Sequence, residues 1–357
     1  MEFGVYRKYI KIWLWSGVVM IFAQIILGGI TRLTGSGLSI THWDIITGVA
    51  FPLSEKKWLY EFNLYQQTPQ YQKINFGMSL SDFKFIYFWE YLHRMWARIM
   101  GFVFIIPFLF FSFKNLIDRK LLIDLFIVIL LAVVVASLGW IMVASGLMNR
   151  PWVNAYKLSF HLTAATLLLS YLFWTALKYH YSIDSSYIKL KRSVALIVVL
   201  IFIQIFLGGV MSGMKAGLAA PTWPDVNGKM IPQEVSLIFS SSEEILGNYE
   251  GSHVSSIIIQ FIHRSFAYII FITAIFMTLL YYIRARMSPY LLFRNLVGII
   301  LIQIILGILT LINCIGSIPI LFGVLHQCIG ILVLLYSIFI CFKLSLTTKE
   351  SFYKPLY

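Results

Sequence analysis

Charge is scarce in this chain, and negative charge scarcest. Charged residues make up 12% of the sequence, with 15 Asp and Glu against 28 Lys and Arg. An ordinary soluble domain carries roughly 25% charged residues. That shortage, with 59% hydrophobic residues and a mean hydropathy of +0.83, excludes a soluble globular protein and predicts an all-α polytopic membrane protein. The formal charge of +13 is therefore no sign of nucleic acid; it has to be read by position, because cytoplasmic loops of membrane proteins collect Lys and Arg. Cysteine is equally sparse. Cys314, Cys328 and Cys341 all fall in the last two apolar runs, which leaves no loop disulfide and no Cys-x-x-Cys metal pair. The first apolar run ends in Gly28-Gly29 without a small-x-small cleavage site, so it reads as a retained helix.

A membrane span needs about 20 mostly apolar residues. Eight runs qualify, over residues 10–30, 85–111, 121–147, 155–177, 194–214, 256–282, 293–315 and 320–342. The basic residues between them alternate. Arg7, Lys8 and Lys11, then Lys114, Arg119 and Lys120, then Lys178, Lys189, Lys191 and Arg192, then Arg284, Arg286 and Arg294, and finally Lys343, Lys349 and Lys354 fall on one side. The short opposite connections hold only Arg150 and Lys157. This bias places both termini in the cytoplasm and turns the long loops 31–84 and 215–255 outward. Both loops are rich in Trp, Tyr, Pro and Gly, a composition suited to the membrane interface, and ordered loops of this length commonly carry function.

The chain repeats itself. Ile21-Phe22-Ala23-Gln24-Ile25-Ile26-Leu27-Gly28-Gly29 recurs as Ile201-Phe202-Ile203-Gln204-Ile205-Phe206-Leu207-Gly208-Gly209. The following loops match at a constant offset, Gly37-Leu38, Trp43, Gly48 and Pro52 against Gly217-Leu218, Trp223, Gly228 and Pro232. After each loop an apolar helix holds His-Arg, as His93-Arg94 and His263-Arg264, and two helices later stand His161 and His326. An even number of spans per copy predicts two fused four-helix bundles, residues 1–184 and 185–357, related by a pseudo-two-fold along the membrane normal.

Within the second apolar run, Trp89-Glu90-Tyr91-Leu92-His93-Arg94 packs a carboxylate, an imidazole and a guanidinium into two helical turns. Ionisable groups inside a membrane are expensive and mark function by default. His93, His161, His263 and His326 lie on runs that all lead from outside inward. Each stands about 7 to 11 residues past its helix start, or roughly 10–16 Å at 1.5 Å per residue. Facing imidazoles in a bundle core are a common way to hold a cofactor, and histidine is a common axial haem ligand. One bis-histidine tetrapyrrole site per half follows, His93 with His161 and His263 with His326. Zinc usually takes three or four protein ligands, more than either pair offers. Arg94, Arg98 and Arg264 are placed to meet haem propionates, since arginine pairs with carboxylates bidentately; snorkelling to the interface is the alternative. His42, His180 and His253 read as polar surface residues. Glu90 precedes His93 by three residues on one helical face, while Gln260 holds the equivalent place before His263. The difference suggests proton transfer or charge stabilisation in the first half and electron transfer in the second, unless Glu90 makes a structural hydrogen bond.

At these residues the chain resembles the haem A synthase family. The resemblance covers essentially all eight runs and rests on Gly28-Gly29-Ile30-Thr31-Arg32-Leu33-Thr34-Gly35-Ser36-Gly37, Glu90-x-x-His93-Arg94, His161, His263-Arg264 and His326. It implies an enzyme of the bacterial cytoplasmic membrane that oxidises the C8 methyl group of haem O to the formyl group of haem A. It further implies haem b on His263 and His326, substrate haem between His93 and His161, and Glu90 essential to the chemistry. Implied partners are a haem O-producing farnesyltransferase and cytochrome oxidase assembly factors. Two successive hydroxylations would give a gem-diol that dehydrates to the aldehyde. Some family members carry cysteines in the outer loops; this chain has none and resembles the cysteine-free branch. A dihaem b-type electron carrier stays open as an alternative, although such carriers commonly place two histidines on one helix. So does a transporter built from fused repeats, or an assembly factor without catalysis. The sequence says nothing of oligomeric state.

Overall fold

Inside a bilayer no water is available to backbone polar groups, so each spanning segment has to satisfy its own, and a helix does so. The computed structural model describes residues 2–42, 51–148, 151–181, 192–239, 249 and 251–346. Trp43, Gly48, Arg150, Lys189, Lys191, Lys349 and Lys354 lie outside the described residues. The helices are α1 (Glu2–Leu33), α2 (Glu55–Gln66), α3 (Pro69–Lys73), α4 (Leu80–Phe113), α5 (Arg119–Met148), α6 (Ala155–Tyr181), α7 (Arg192–Gly213), α8 (His253–Ile283), α9 (Met287–Ile312) and α10 (Ile320–Ser345). Among them, eight are long and apolar enough to cross a membrane, all but α2 and α3. They match the eight apolar runs, with earlier starts where a cap is present. Helix α4 begins at Leu80 because Ser79 Oγ accepts the Asp82 N–H at 3.2 Å, and α8 begins at His253 because Ser252 Oγ accepts the Ser255 N–H at 3.2 Å, each satisfying a donor the first turn leaves unpaired.

Helices α1, α6, α7 and α10 pack on one another in a closed ring, α1 on α6, α6 on α7, α7 on α10 and α10 on α1. Helices α4, α5, α8 and α9 lean on this ring from outside, on α1, α6, α7 and α10 respectively. Small residues bring the central helices together, as membrane helices require. A Cβ on Gly213 would lie 2.5 Å from Ala155 Cα, one on Gly209 would lie 2.9 Å from Ser159 Cα, and one on Gly323 would lie 2.8 Å from Leu33 Cδ1.

The apolar core occupies one end. It is built from the beginnings of α1, α5, α7 and α9 and the later parts of α4, α6, α8 and α10, with Leu14, Leu125, Leu172, Phe293, Leu334 and Phe342 wholly buried. Because alternate helices run in opposite directions, all these stretches meet at the end where α1 starts. The half-buried charges of α5 and α6 are paired there. Lys178 Nζ lies 2.6 Å from Asp124 Oδ2 and Tyr171 donates to Asp124 Oδ1 at 2.9 Å. Pro107 interrupts α4, and having no N–H it cannot bond to the Val103 carbonyl; Trp13 Nε1 donates to that carbonyl instead, at 3.0 Å.

The opposite end is hollow and closed by the two long loops. In the first, Trp58, Phe62 and Tyr65 of α2 pack on Phe83, Ile86 and Tyr87 of α4. Gln70 Nε2 ties this cap to the exit of α1 by donating to the Gly35 carbonyl at 2.9 Å. Burial pushes the Tyr65 hydroxyl up to about 12, so it stays protonated and accepts from Asn75 Nδ2 at 2.7 Å. The second loop contains a short 3-10 turn at Ala216–Leu218 and a tight turn at Asn227-Gly228, whose φ angles of 51° and 83° suit the glycine.

Gly213→Ala should part α6 from α7 and lower stability by about 1–3 kcal/mol, the usual cost of overpacking. Thermal unfolding in detergent reads this, with Gly298→Ala, where a Cβ meets nothing within 4 Å, as the control that should leave the midpoint unchanged or higher.

Candidate functional site

Each of the four membrane histidines lies with its ring against a glycine of a neighbouring helix. A Cβ on Gly28 of α1 would stand 3.2 Å from His93 Nε2, and one on Gly208 of α7 would stand 3.2 Å from His263 Cε1. On Gly139 of α5 it would stand 2.9 Å from His161 Cε1, and on Gly307 of α9 2.9 Å from His326 Cε1. Any larger residue would push the rings away, so the glycines fix where the imidazoles sit. Glutamines complete the setting. Gln24 and Gln204 each donate to the main-chain carbonyl of the facing histidine, His93 and His263, at 3.0 Å.

The pair on the central helices is oriented through Nδ1. His161 donates to the Val135 carbonyl at 3.0 Å and His326 to the Gln303 carbonyl at 3.1 Å. A hydrogen bond at Nδ1 leaves Nε2 as the metal-facing nitrogen. All four histidines line one cavity of about 1720 Å³ at the hollow end, bounded by residues of both halves. Cavities for a single small ligand run about 300–1,000 Å³, so this one is large enough for two.

The donor set fits a haem held by paired imidazoles. The ring centroids of His263 and His326 are 6.4 Å apart, room for one metal atom with bonds of about 2 Å to nitrogen on each side. Buried polar atoms without a partner gather at the cavity, namely His263 Nδ1 and the Oε1 atoms of Gln24, Gln204 and Gln303. Among the described residues no three His, Cys, Asp or Glu side chains converge as a metal cluster.

Glu90 is 2% exposed and lines the same cavity. Its Oε2 accepts the Ser39 N–H at 2.7 Å, the Ser39 hydroxyl at 2.6 Å and the Ile40 N–H at 2.9 Å, and its Oε1 pairs with Arg94. Gln260 makes the corresponding bonds with the opposite polarity. Its Nε2 donates to the carbonyls of Ala216 and Ala220 at 3.2 and 3.1 Å, and its Oε1 lies 3.5 Å from Arg264 Nη1. Both residues therefore fasten the loop that follows the first helix of their half to the histidine helix. The difference between them follows the loop backbone, which presents N–H groups to Glu90 and carbonyls to Gln260.

Of the three arginines singled out by sequence, all line the cavity. Arg264 is also committed to the second loop, donating to the carbonyls of Thr222, Pro224 and Asp225 at 2.7–3.2 Å. Arg98 Nη1 lies 3.9 Å from Met95 Sδ. His42 is exposed and lies at the cavity wall. His253 Nε2 lies 3.2 Å from the Ala219 carbonyl, and His180 packs edge-on to Trp15 at the opposite end.

Sequence reasoning passed over the glycines and glutamines around the rings, although the recurring nonapeptide contains Gln24, Gly28, Gln204 and Gly208. It also passed over Arg32, whose Nη2 donates to the Ser212 and Gly213 carbonyls at 2.7 and 3.2 Å. That places a cation on the carbonyl end of α7, where the helix dipole favours it, and joins the two halves beside the cavity.

A model of the cytochrome oxidase assembly protein family matches residues 11–338. A heme A synthase of Pelagibacter ubique is 38% identical over 341 residues, covering 95% of this chain and 97% of that protein. A heme A synthase of Wolbachia pipientis is 36% identical over 353 residues, covering 96% and 95%, and one of Flavobacterium psychrophilum is 37% identical over 335 residues, covering 92% and 96%. A match of this extent, over the helices that carry all four histidines, makes the chain a member of the cytochrome oxidase assembly protein family.

Proposed function

We propose that this protein is a haem A synthase that oxidises the C8 methyl group of haem O to the formyl group of haem A. The observation that supports the reading is that four ring-against-glycine histidines line one cavity, in a chain whose relatives bear that name. Haem b is held in the second half by His263 and His326, and supplies a one-electron relay when bound. Substrate haem enters between His93 and His161. Arg94 and Arg98 meet its carboxylates, and Arg264 meets those of haem b from its place in the loop clamp.

Glu90 is the catalytic residue of this proposal. With every donor around it engaged, it acts as a fixed anion beside the substrate and stabilises positive charge that develops there, a role that needs no reorganisation during the reaction. The two halves, residues 1–184 and 185–357, form a pseudo-two-fold pair; the matched packing of α1 on α4 and α7 on α8, and of α5 on α6 and α9 on α10, supports this. The basic connections support an orientation with both termini in the cytoplasm and the cavity toward the outer face. The electron-carrier alternative calls for equivalent sites, and the walls of the two sites differ at Glu90 and Gln260. A haem O-producing farnesyltransferase upstream and oxidase assembly factors downstream are the partners this activity requires.

Pigment extraction from purified variants tests the assignment of halves. His263→Ala or His326→Ala should remove haem b, whereas His93→Ala or His161→Ala should remove haem O and haem A; the reverse pattern would exchange the two sites. Glu90→Gln should keep haem b and lower haem A formation by about 10²-fold or more. Full turnover in that variant would end the catalytic assignment.

A further inference from the structure

The two halves differ in how their outer helices meet. Among the described residues α8 packs along α9, whereas the corresponding pair in the first half, α4 and α5, does not pack side by side. The sequence accounts for this at three positions, counted from the shared histidines and glycines. Gly101 of α4 stands eight residues after His93, where α8 has Phe271 after His263. Ala132 and Ala136 of α5 stand seven and three residues before Gly139, where α9 has Ile300 and Ile304 before Gly307. In the second half these three side chains belong to the apolar core or pack against it. In the first, a Cβ on Gly101 would meet nothing within 4 Å.

The cavity therefore opens sideways in the first half. Gly101, Val103, Ala132, Val133, Ala136 and Trp140 line it and are exposed as well. Among the described residues of α8 and α9 at its wall, only Tyr268 is exposed. The slot between α4 and α5 is closed at its two ends. Towards the hollow end the first loop lies across it, with α2 on α4 and α3 on α5; towards the packed end Phe111 and Leu121 are buried. What stays open is the side of two membrane-spanning helices, which in a bilayer meets lipid chains and not water. Its inner side leads to His93 and His161, which line the same cavity.

We propose that substrate haem reaches the first histidine pair sideways from the bilayer, through the slot between α4 and α5, and that the slot then holds its isoprenoid tail. Haem O carries a long farnesyl chain where haem B has a vinyl group. Exposing that chain to water is unfavourable in proportion to its apolar area. Between Gly101 on one side and Ala132 and Ala136 on the other it meets apolar walls that continue into lipid. The porphyrin and its carboxylates face the imidazoles, Arg94 and Arg98 further in. A slot that is apolar outside and polar inside fits a molecule with one apolar and one charged end. In the second half Phe271, Ile300 and Ile304 take the place of the tail, so a haem without one fits there and has no side exit. The inference rests on the reading of His93 and His161 as the substrate site.

The test uses full-length protein with haem b already on His263 and His326. It is mixed with phosphatidylcholine vesicles that carry either haem O or haem B, and uptake of a second haem is followed by absorbance. Wild type should take up haem O in preference. Gly101→Phe, and separately Ala132→Ile with Ala136→Ile, copy the second-half wall from opposite sides of the slot; Gly101 has open space beside it, so the first of these should fold. Each variant should keep haem b and take up haem O more slowly. Each should also lose at least about tenfold of the preference for haem O, since single methylene groups in an apolar pocket already decide that much. No preference in wild type, or an unchanged preference and rate in either variant that retains haem b, would overturn the proposal. So would an equal loss of both haems, because the wall would then shape the whole site and not a place for the tail. The underlying reading fails separately: wild type that takes up no second haem, or His93→Ala that takes it up undiminished, would remove the first pair as a substrate site.

Discussion

The distance at which a glycine backbone can approach an imidazole decides how this molecule is built around its cavity. Four rings on α4, α6, α8 and α10 each meet a helix at a residue without a side chain, and a Cβ there would come within 2.9–3.2 Å of ring atoms. Since interiors tolerate overpacking poorly, those four contacts set the spacing of each histidine helix from its neighbour. They also hold the rings toward shared space. The His263 and His326 centroids settle 6.4 Å apart, a separation one metal atom can bridge.

A cavity of this size needs support from the rest of the fold. The tightly packed end, with Leu14, Leu172, Phe293 and Phe342 fully buried, supplies the apolar contact the hollow end forgoes. At the hollow end the loops are fastened by polar groups. Glu90 gathers Ser39, Ile40 and Arg94, and Gln260 with Arg264 gathers the carbonyls of the second loop. Such bonds are stronger in a low-dielectric interior than in water, and costly when left unpaired. The same arrangement that closes the cavity thereby leaves one anion, Glu90, fixed at its wall in the first half and a neutral amide in the second.

Much of this was legible in the sequence, and the reasons are physical. Eight apolar runs and a bias of Lys and Arg are strong signals because a bilayer punishes exceptions, and all eight runs appear as helices. The four histidines stood out because ionisable residues are rare in such runs. The glycines opposite them did not, because glycine is common in membrane helices for many reasons. The bonds of Glu90 depend on which backbone groups a loop turns inward, and spacing along the chain carries no information on that. Comparison of the two halves found Glu90 against Gln260 and read the difference as chemistry, with a structural hydrogen bond from Glu90 to a neighbouring helix as the alternative; the structure gives Glu90 hydrogen bonds, but to the loop at Ser39 and Ile40. Arg32 was hidden by the same limit: its partners, Ser212 and Gly213, belong to the other half of the chain.

The central claim is that paired imidazoles hold two haems, one in each half of a single cavity. X-ray diffraction from crystals of the haem-loaded protein, collected at the iron absorption edge, locates iron directly. The account predicts two anomalous peaks, one between His93 and His161 and one between His263 and His326. A single peak, or iron bound by any other residues, would contradict it.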